Sequence, residues 1–457
     1  MSELREALTA AQVAPLIPKV IDRHITNLVK RYSPLTAMLP DTKWNSNVFY
    51  FNVRSQLPQG DAVTDGGAVP QSVSVYQQTG TTIKEYQTIG GVTGFAQEVT
   101  ASQVGSLLAD EIAASVQGHV MDLEADMVWG AAASSLNGPA PRMDGLAVQF
   151  SQFASSSTTP QNSIDAGGAA FALRNLDELI DAVESNLGAP VTGQEFMFVM
   201  SSSAESKIAQ LQTAQQRYND GNVTVDVGLT VPSYRGVPIA KSSYLGSRGF
   251  SMSTVAATTA TAGGSLAAGT YYYAISPAMS RMGEIAASAA VSVTTTGSTS
   301  TVTLSFSPPV GYQAATPRTY YVYRGATASS VSLLGTVDAY VTLASDGITR
   351  IQTTSIVDTG SALIPQNGAT QPNVLPTQYY NTNPNWLPRQ AGTEEIYLLS
   401  RSRNNIIRPW IRNAKVKPLY ATTSSPDSLP FALMSDTCVA VRNPLVGSRL
   451  RNVVVAL

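Results

Sequence analysis

The sequence predicts an α+β fold interrupted by an all-β sandwich. Three observations carry this. Apolar residues recur at three- and four-residue steps over 102–129, the spacing of one buried helix face. Two β-rich runs, 48–54 and 72–87, flank a cluster of turn formers, the pattern of a long hairpin. The block 250–373 holds no lysine and only eight charged residues, and its apolar side chains alternate with the period of strands.

In chain order, residues 1–47 combine a weak amphipathic helix with prolines at 15, 18, 34 and 40, too broken to build a core alone, and are expected to form an arm. The hairpin over 48–100 turns through Pro58, Gly60, Asp61, Asp65, Gly66, Gly67 and Pro70. Isolated two-stranded ribbons are marginal in water, so it is expected to lie on another surface. The long helix carries Val104, Leu108, Ile112, Val116, Val120, Leu123 and Met127 on one face, with Ser102 as its cap and Gly130 as its stop. A second helix, 176–187, presents Leu176, Leu179, Ile180 and Val183 and ends at Gly188. A strand at 195–200, a third helix at 203–212, a turn at Tyr218-Asn219-Asp220-Gly221 and a strand at 237–240 follow. Inside the charge-poor block, Tyr271, Tyr273 and Ile275, then Val302, Leu304 and Phe306, then 320–323 mark strands; six or seven are expected, closed by an Asp358-Thr359-Gly360 turn. After a linker over 365–376, strands at 396–399 and 437–441 lead to a last apolar stretch, 450–457.

Composition limits the partners. Charged residues are 13% of the 457, against about 25% in ordinary soluble domains, while mean hydropathy is only +0.01. The net charge of −2 lacks the basic footprint of a nucleic-acid binder. Met1-Ser2-Glu3-Leu4-Arg5-Glu6 is acidic where an export signal is basic. No apolar run reaches the roughly 18 residues of a membrane span, so no membrane partner is expected. The single cysteine, Cys438, allows no internal disulfide.

Chemistry has few anchors here. His24 and His119 are the only histidines, and His119, beside the apolar stripe of the long helix, reads as a packing or interface residue. A thiol nucleophile would need Cys438 to meet one of them from a distant position. Phosphate-cradling glycine loops and metal-ligand spacings are missing from the sequence, so no catalytic, cofactor-binding or metal residue is assigned, and no cofactor or enzymatic activity is expected. Asp110, Glu111, Asp122, Glu124 and Asp126 are expected on a solvated or subunit-facing side of the long helix. Arg401, Arg403, Arg408, Arg412, Lys415 and Lys417 form the densest basic region, expected to make salt bridges across subunits.

Arm, long hairpin, long helix and an interrupted α/β region occur in an order that resembles the major capsid protein of tailed bacteriophages, the Hong Kong 97-like fold. Local stretches share the likeness. Residues 81–89, continuing through Phe95-Ala96-Gln97-Glu98-Val99, are similar to the exit of that family's E-loop into its spine helix. Leu136-Asn137-Gly138 with Asp144-Gly145-Leu146, the 175–201 segment, and Tyr234-Arg235-Gly236-Val237-Pro238-Ile239-Ala240 resemble the turn off the spine and the start of the A-domain. The inserted block resembles fibronectin type III or immunoglobulin-like modules at 268–276, Gly283-Glu284, Val322-Tyr323-Arg324-Gly325 and Val357-Asp358-Thr359-Gly360.

The resemblance implies an N-terminal arm (1–47), an E-loop hairpin (48–100), a P-domain spine helix with following strands (101–165), the first part of an A-domain (166–250), the sandwich insertion (251–376), and a return to the A- and P-domains (377–457). It implies a virion protein, assembled in the host cytoplasm, whose hexamers and pentamers close an icosahedral head around double-stranded DNA. Its partners would be copies of itself, a separate scaffolding protein, a portal, decoration proteins and, non-specifically, the packaged DNA. Some relatives crosslink an E-loop lysine to a neighbour's asparagine; Lys84 is the one lysine in this hairpin, and nothing marks its partner. The sandwich is expected to project outward as a decoration whose removal leaves a shell-forming protein. Its tyrosines suggest weak binding of host glycans if exposed, and a core if not. The alternatives are another virion structural protein or a surface adhesin, which would leave the long helix and hairpin idle.

Overall fold

The computed structural model describes residues 35–58, 60, 62–63, 65, 67, 72–100, 106–130, 142–151, 162–214, 223–224, 230–246, 251–279, 283–310, 316–343, 350–361, 363–365, 389–420 and 427–455. Ser102, the turns at 136–138 and 218–221, the 1–34 part of the arm and the 366–376 linker lie outside the described residues. The chain divides into two compact units. One takes 1–30, 87–118 and 416–433; the other takes 31–86, 119–415 and 434–457.

The larger unit is built on a six-stranded mixed sheet, in the order Ser163–Asp165, Gly447–Val454, Thr393–Ser400, Phe196–Met200, Val237–Lys241, Ser233–Tyr234. Its strand Phe196–Met200 is apolar without interruption because both faces are covered. Phe196, Phe198, Met200, Ile396 and Leu398 pack with the helix Leu173–Leu187 on one face. Met197, Val199, Tyr397 and Leu399 pack with Leu123, Met127 and Trp129 of the long helix on the other. Period two along the strands and 3.6 along the helices thus meet in three layers. The sequence placed this second helix three residues late: it starts at Leu173, where the Asn175 side chain accepts the Ala172 N–H at 2.9 Å, and it ends as expected in left-handed Gly188 (φ 67°).

The long helix spans Leu107–Trp129. Ser106, not Ser102, accepts the Ala109 N–H at 3.3 Å at its start. Gly130 stops it, and a Cβ there would sit 2.4 Å from the Met143 carbonyl, so only glycine lets the returning chain approach.

The hairpin pairs Val48–Gln56 with Val75–Thr82, antiparallel, from Val48 opposite Thr82 to Gln56 opposite Val75. The second β-rich run is two strands, Val75–Thr82 and Lys84–Thr93, parted at Ile83, whose side chain is buried in the core. The base of the hairpin is covered by its own chain. Phe49 and Phe51 pack with Ile407 and Ala440, and Trp44 meets Phe49 edge-on with centroids 4.8 Å apart.

The charge-poor block forms a four-stranded and a five-stranded antiparallel sheet, more strands than the six or seven expected. Tyr273, Ile275, Tyr320 and Val322 from one sheet close on Val302, Leu304 and Ile356 from the other. Asp358 ties the sheets together: its Oδ2 accepts Tyr273 Oη and Arg324 Nη1, both at 2.8 Å, and its Oδ1 accepts the Gly360 N–H of the expected turn. The chain leaves the mixed sheet and re-enters it at one place, where the Glu395 N–H donates to the Leu245 carbonyl at 3.3 Å.

In the smaller unit, Asp427 holds the start of the helix Gly94–Thr100, its carbonyl accepting Gly94 N–H at 2.7 Å and its Oδ2 accepting Phe95 N–H at 2.9 Å. Gln97 in turn accepts the Leu108 N–H at 3.0 Å. Ile89, Phe95, Val99 and Leu429 are exposed here.

Candidate functional site

The residues singled out for chemistry are held in structural roles. His119 is buried, its Nε2 2.7 Å from Ser435 Oγ, beside a cavity of about 80 Å³ that Thr36, Arg408, Trp410 and Arg412 also line. Burial pushes the imidazole below its ordinary range, with the Asp122 carboxylate opposing. Cys438 is fully buried in the apolar core, and burial pushes its thiol up to about 12, so no thiolate forms at neutral pH. His24 lies outside the described residues. Among the described residues, no three His, Cys, Asp or Glu side chains gather as metal ligands, and no helix is long and apolar enough to cross a membrane.

Two charge expectations are corrected. Asp110 and Glu111 are exposed, but Glu124 and Asp126 are buried within the chain. Glu124 accepts hydrogen bonds from Thr36, and Asp126 takes Arg142 Nη1 at 2.8 Å, because the last turns of the long helix are enclosed on every side. The basic region pairs within the chain: Arg408 with Asp41 at 3.3 Å, Arg412 with Asp436 and with Glu85, Arg403 with the Asp41 carbonyl, and Arg401 with the Gln194 carbonyl. Lys415 and Lys417 stand exposed on the Ile406–Pro418 strand.

The richest polar constellation is one that sequence reasoning missed. Arg449 grips Glu395 with two parallel bonds, Nε to Oε2 at 2.9 Å and Nη2 to Oε1 at 2.7 Å, and its Nη1 donates to the Ala147 carbonyl. Arg451 reaches Glu284 at 3.0 Å, Glu395 at 3.6 Å and Asp165 at 3.8 Å. Arg389 donates to the Glu284 and Thr393 carbonyls and lies over the Trp129 ring. The arginines hold Glu395 below the ordinary carboxylate range against the upward push of its burial, and Tyr397 Oη donates to it at 2.8 Å. The signal that could have flagged this cluster is two arginines, Arg449 and Arg451, flanking Leu450 in a segment read as the last apolar stretch. Arg449, Arg451, Glu284 and Glu395 are enclosed, and Asp165 stands at the partly exposed edge of the cluster.

What the chain leaves open is the other side of the hairpin. Tyr50 and Tyr76 are exposed there, with Arg54 Nη2 on Tyr76 Oη at 2.7 Å and over its ring at 5.0 Å. Leu57, Val73 and Val75 are exposed toward the turn end of the hairpin. Conversely, Tyr273, Tyr320, Tyr321 and Tyr323 of the two-sheet segment are at most 2% exposed, so these rings present no aromatic platform to a glycan.

A family model described as the SU10 major capsid protein matches residues 8–239. Among solved structures, a chain from Mycobacterium phage Bobi is 11% identical, with 97% of this chain and 98% of that one covered and a TM-score of 0.49. The holo-SrpI encapsulin complex from Synechococcus elongatus PCC 7942 is 10% identical, with 99% and 98% covered and a TM-score of 0.47. The capsid of an empty GTA particle is 10% identical, with 98% and 100% covered and a TM-score of 0.44. None of the curated proteins compared matches the chain.

Proposed function

The chain belongs to the SU10 major capsid protein family, and from that premise we propose that it is the shell subunit of a tailed bacteriophage, with the Hong Kong 97-like fold. Its copies assemble as hexamers and pentamers into an icosahedral head around double-stranded DNA. The observation that carries this reading is the family match over 8–239, which takes in the hairpin, the long helix and the first half of the mixed sheet.

The hairpin supplies the physical reason for assembly. One face is consumed by Phe49 and Phe51 in the subunit's own core, while Tyr50 and Tyr76 on the other stay in water. Burying such a surface against neighbours is what an obligate interface does, and it compensates for a charge content of only 13%. In this reading 1–47 is the arm, 48–100 the E-loop, 101–165 the spine region, and 166–250 with 377–457 the A-domain and its return. The 251–376 segment is a fibronectin type III or immunoglobulin-like insertion projecting from the outer surface. Scaffolding, portal and decoration proteins are its partners, with non-specific contact to DNA, and the role is structural rather than enzymatic.

Expression of the chain with the structural proteins encoded beside it, followed by electron microscopy of the lysate, tests the proposal. Closed shells are expected; a strictly monomeric product under every assembly condition would sink it.

A further inference from the structure

Three arginines and three carboxylates meet in the buried cluster, and only one of these six side chains comes from the two-sheet segment. Arg389, Arg449, Arg451, Glu395 and Asp165 flank or belong to the mixed sheet, whereas Glu284 lies in the short strand Gly283–Glu284. Glu284 is nevertheless the nearest of the carboxylates facing Arg451, with Oε1 at 3.0 Å and Oε2 at 3.2 Å from Nη2. Glu395 is already gripped by Arg449, and Asp165 stands 3.8 Å away and also binds Asn452. Ser276 Oγ at 2.9 Å and Tyr323 Oη at 3.2 Å, both from the same segment, donate to Glu284 Oε1. Arg389 Nη1 reaches the Glu284 carbonyl at 2.6 Å from the returning chain.

Without the segment, three buried guanidiniums would face two carboxylates. An uncompensated charge at a site where Arg451 is 2% exposed is strongly unfavourable. We infer that the two-sheet segment is an obligate part of the subunit fold, with Glu284 neutralising Arg451 and latching the segment to the Gly447–Val454 strand. It is therefore not a decoration that can be removed with the shell-forming fold left intact. This inference stands apart from the shell reading, because its test measures unfolding of the whole chain and not assembly.

The test is a double-variant cycle in the full-length protein with Glu284→Gln, Arg451→Met and the pair together, read by thermal unfolding at neutral pH. Each single variant is expected to lower the midpoint by roughly 4 °C, and the pair to recover at least half of the summed loss, since it leaves no buried charge orphaned. Additive losses would overturn the inference. If a single variant does not fold, amide exchange on the paired variant is the second measurement: weakened protection is expected in 269–279 and 447–454 together. Weakening confined to the two-sheet segment would overturn the latch.

Discussion

At the scale of single residues, the molecule encloses several of its few charges. Asp358 shows why: with no exposure, it serves Tyr273, Arg324 and the Gly360 amide at once, so each burial cost is matched by a hydrogen bond. Asp358→Ala is expected to cost about 3–5 kcal/mol, read as a lowered denaturation midpoint. His119 gives the pH counterpart. Its folded-state value lies below the ordinary one near 6.5, so the unfolded chain binds a proton first as the solution is acidified. Stability is then lost as pH falls through about 6.5, and the loss saturates below the folded value. His119→Asn is expected to reduce the fall in melting temperature between neutral and mildly acidic pH; an unchanged fall would assign the acid sensitivity elsewhere.

At the scale of elements, the hairpin separates folding from assembly by the period of a strand. Adjacent residues of Val48–Gln56 point to opposite faces, so Phe49 is core and Tyr50 is surface. Phe49→Ala is expected to cost about 3–5 kcal/mol and to expose the hairpin to limited proteolysis. Tyr50→Ala is expected to leave the monomer's unfolding within about 0.5 kcal/mol while reducing shell yield in sedimentation. Equal effects of the two on monomer stability would contradict this division. The basic strand Ile406–Pro418 is a different case. Its arginines lie where inter-subunit bridges were expected, yet Arg408 and Arg412 find Asp41, Asp436 and Glu85 within the chain. Spacing along a strand shows that a charge needs a partner, not which chain supplies it.

At the scale of the whole molecule, the two-sheet segment is set into the mixed sheet at Leu245 and Glu395 and joined to it again through Glu284. Deleting 251–388 with a short flexible bridge is expected to leave little soluble protein, measured as the soluble fraction after expression; recovery at the full-length yield would show that the core balances its own charges. Much of the architecture was legible in the sequence. The stripe from Leu108 to Met127, the stop at Gly188, the alternation around Tyr273 and Val302 and the turn at Asp358 are local signals, each set by a backbone period or by glycine's freedom, and they mark elements that the structure contains. The helix start at Ser106 was missed because Ser102 carries the same capping chemistry four residues earlier. The burial of Glu124 and Asp126, the pairing of the arginines within the chain and the cluster around Arg451 were beyond local signals. Their partners stand far away in sequence, and Arg451 meets Glu284 only after the strands have been ordered. By itself the sequence determined where the main helices and strands form and that Phe49, Leu176 and Tyr273 turn inward, because those follow from short-range geometry and hydrophobicity. Only the tertiary structure decided which charges neutralise one another, and hence that the lysine-free block is bound into the core, because a buried ion pair depends on distances that folding alone sets.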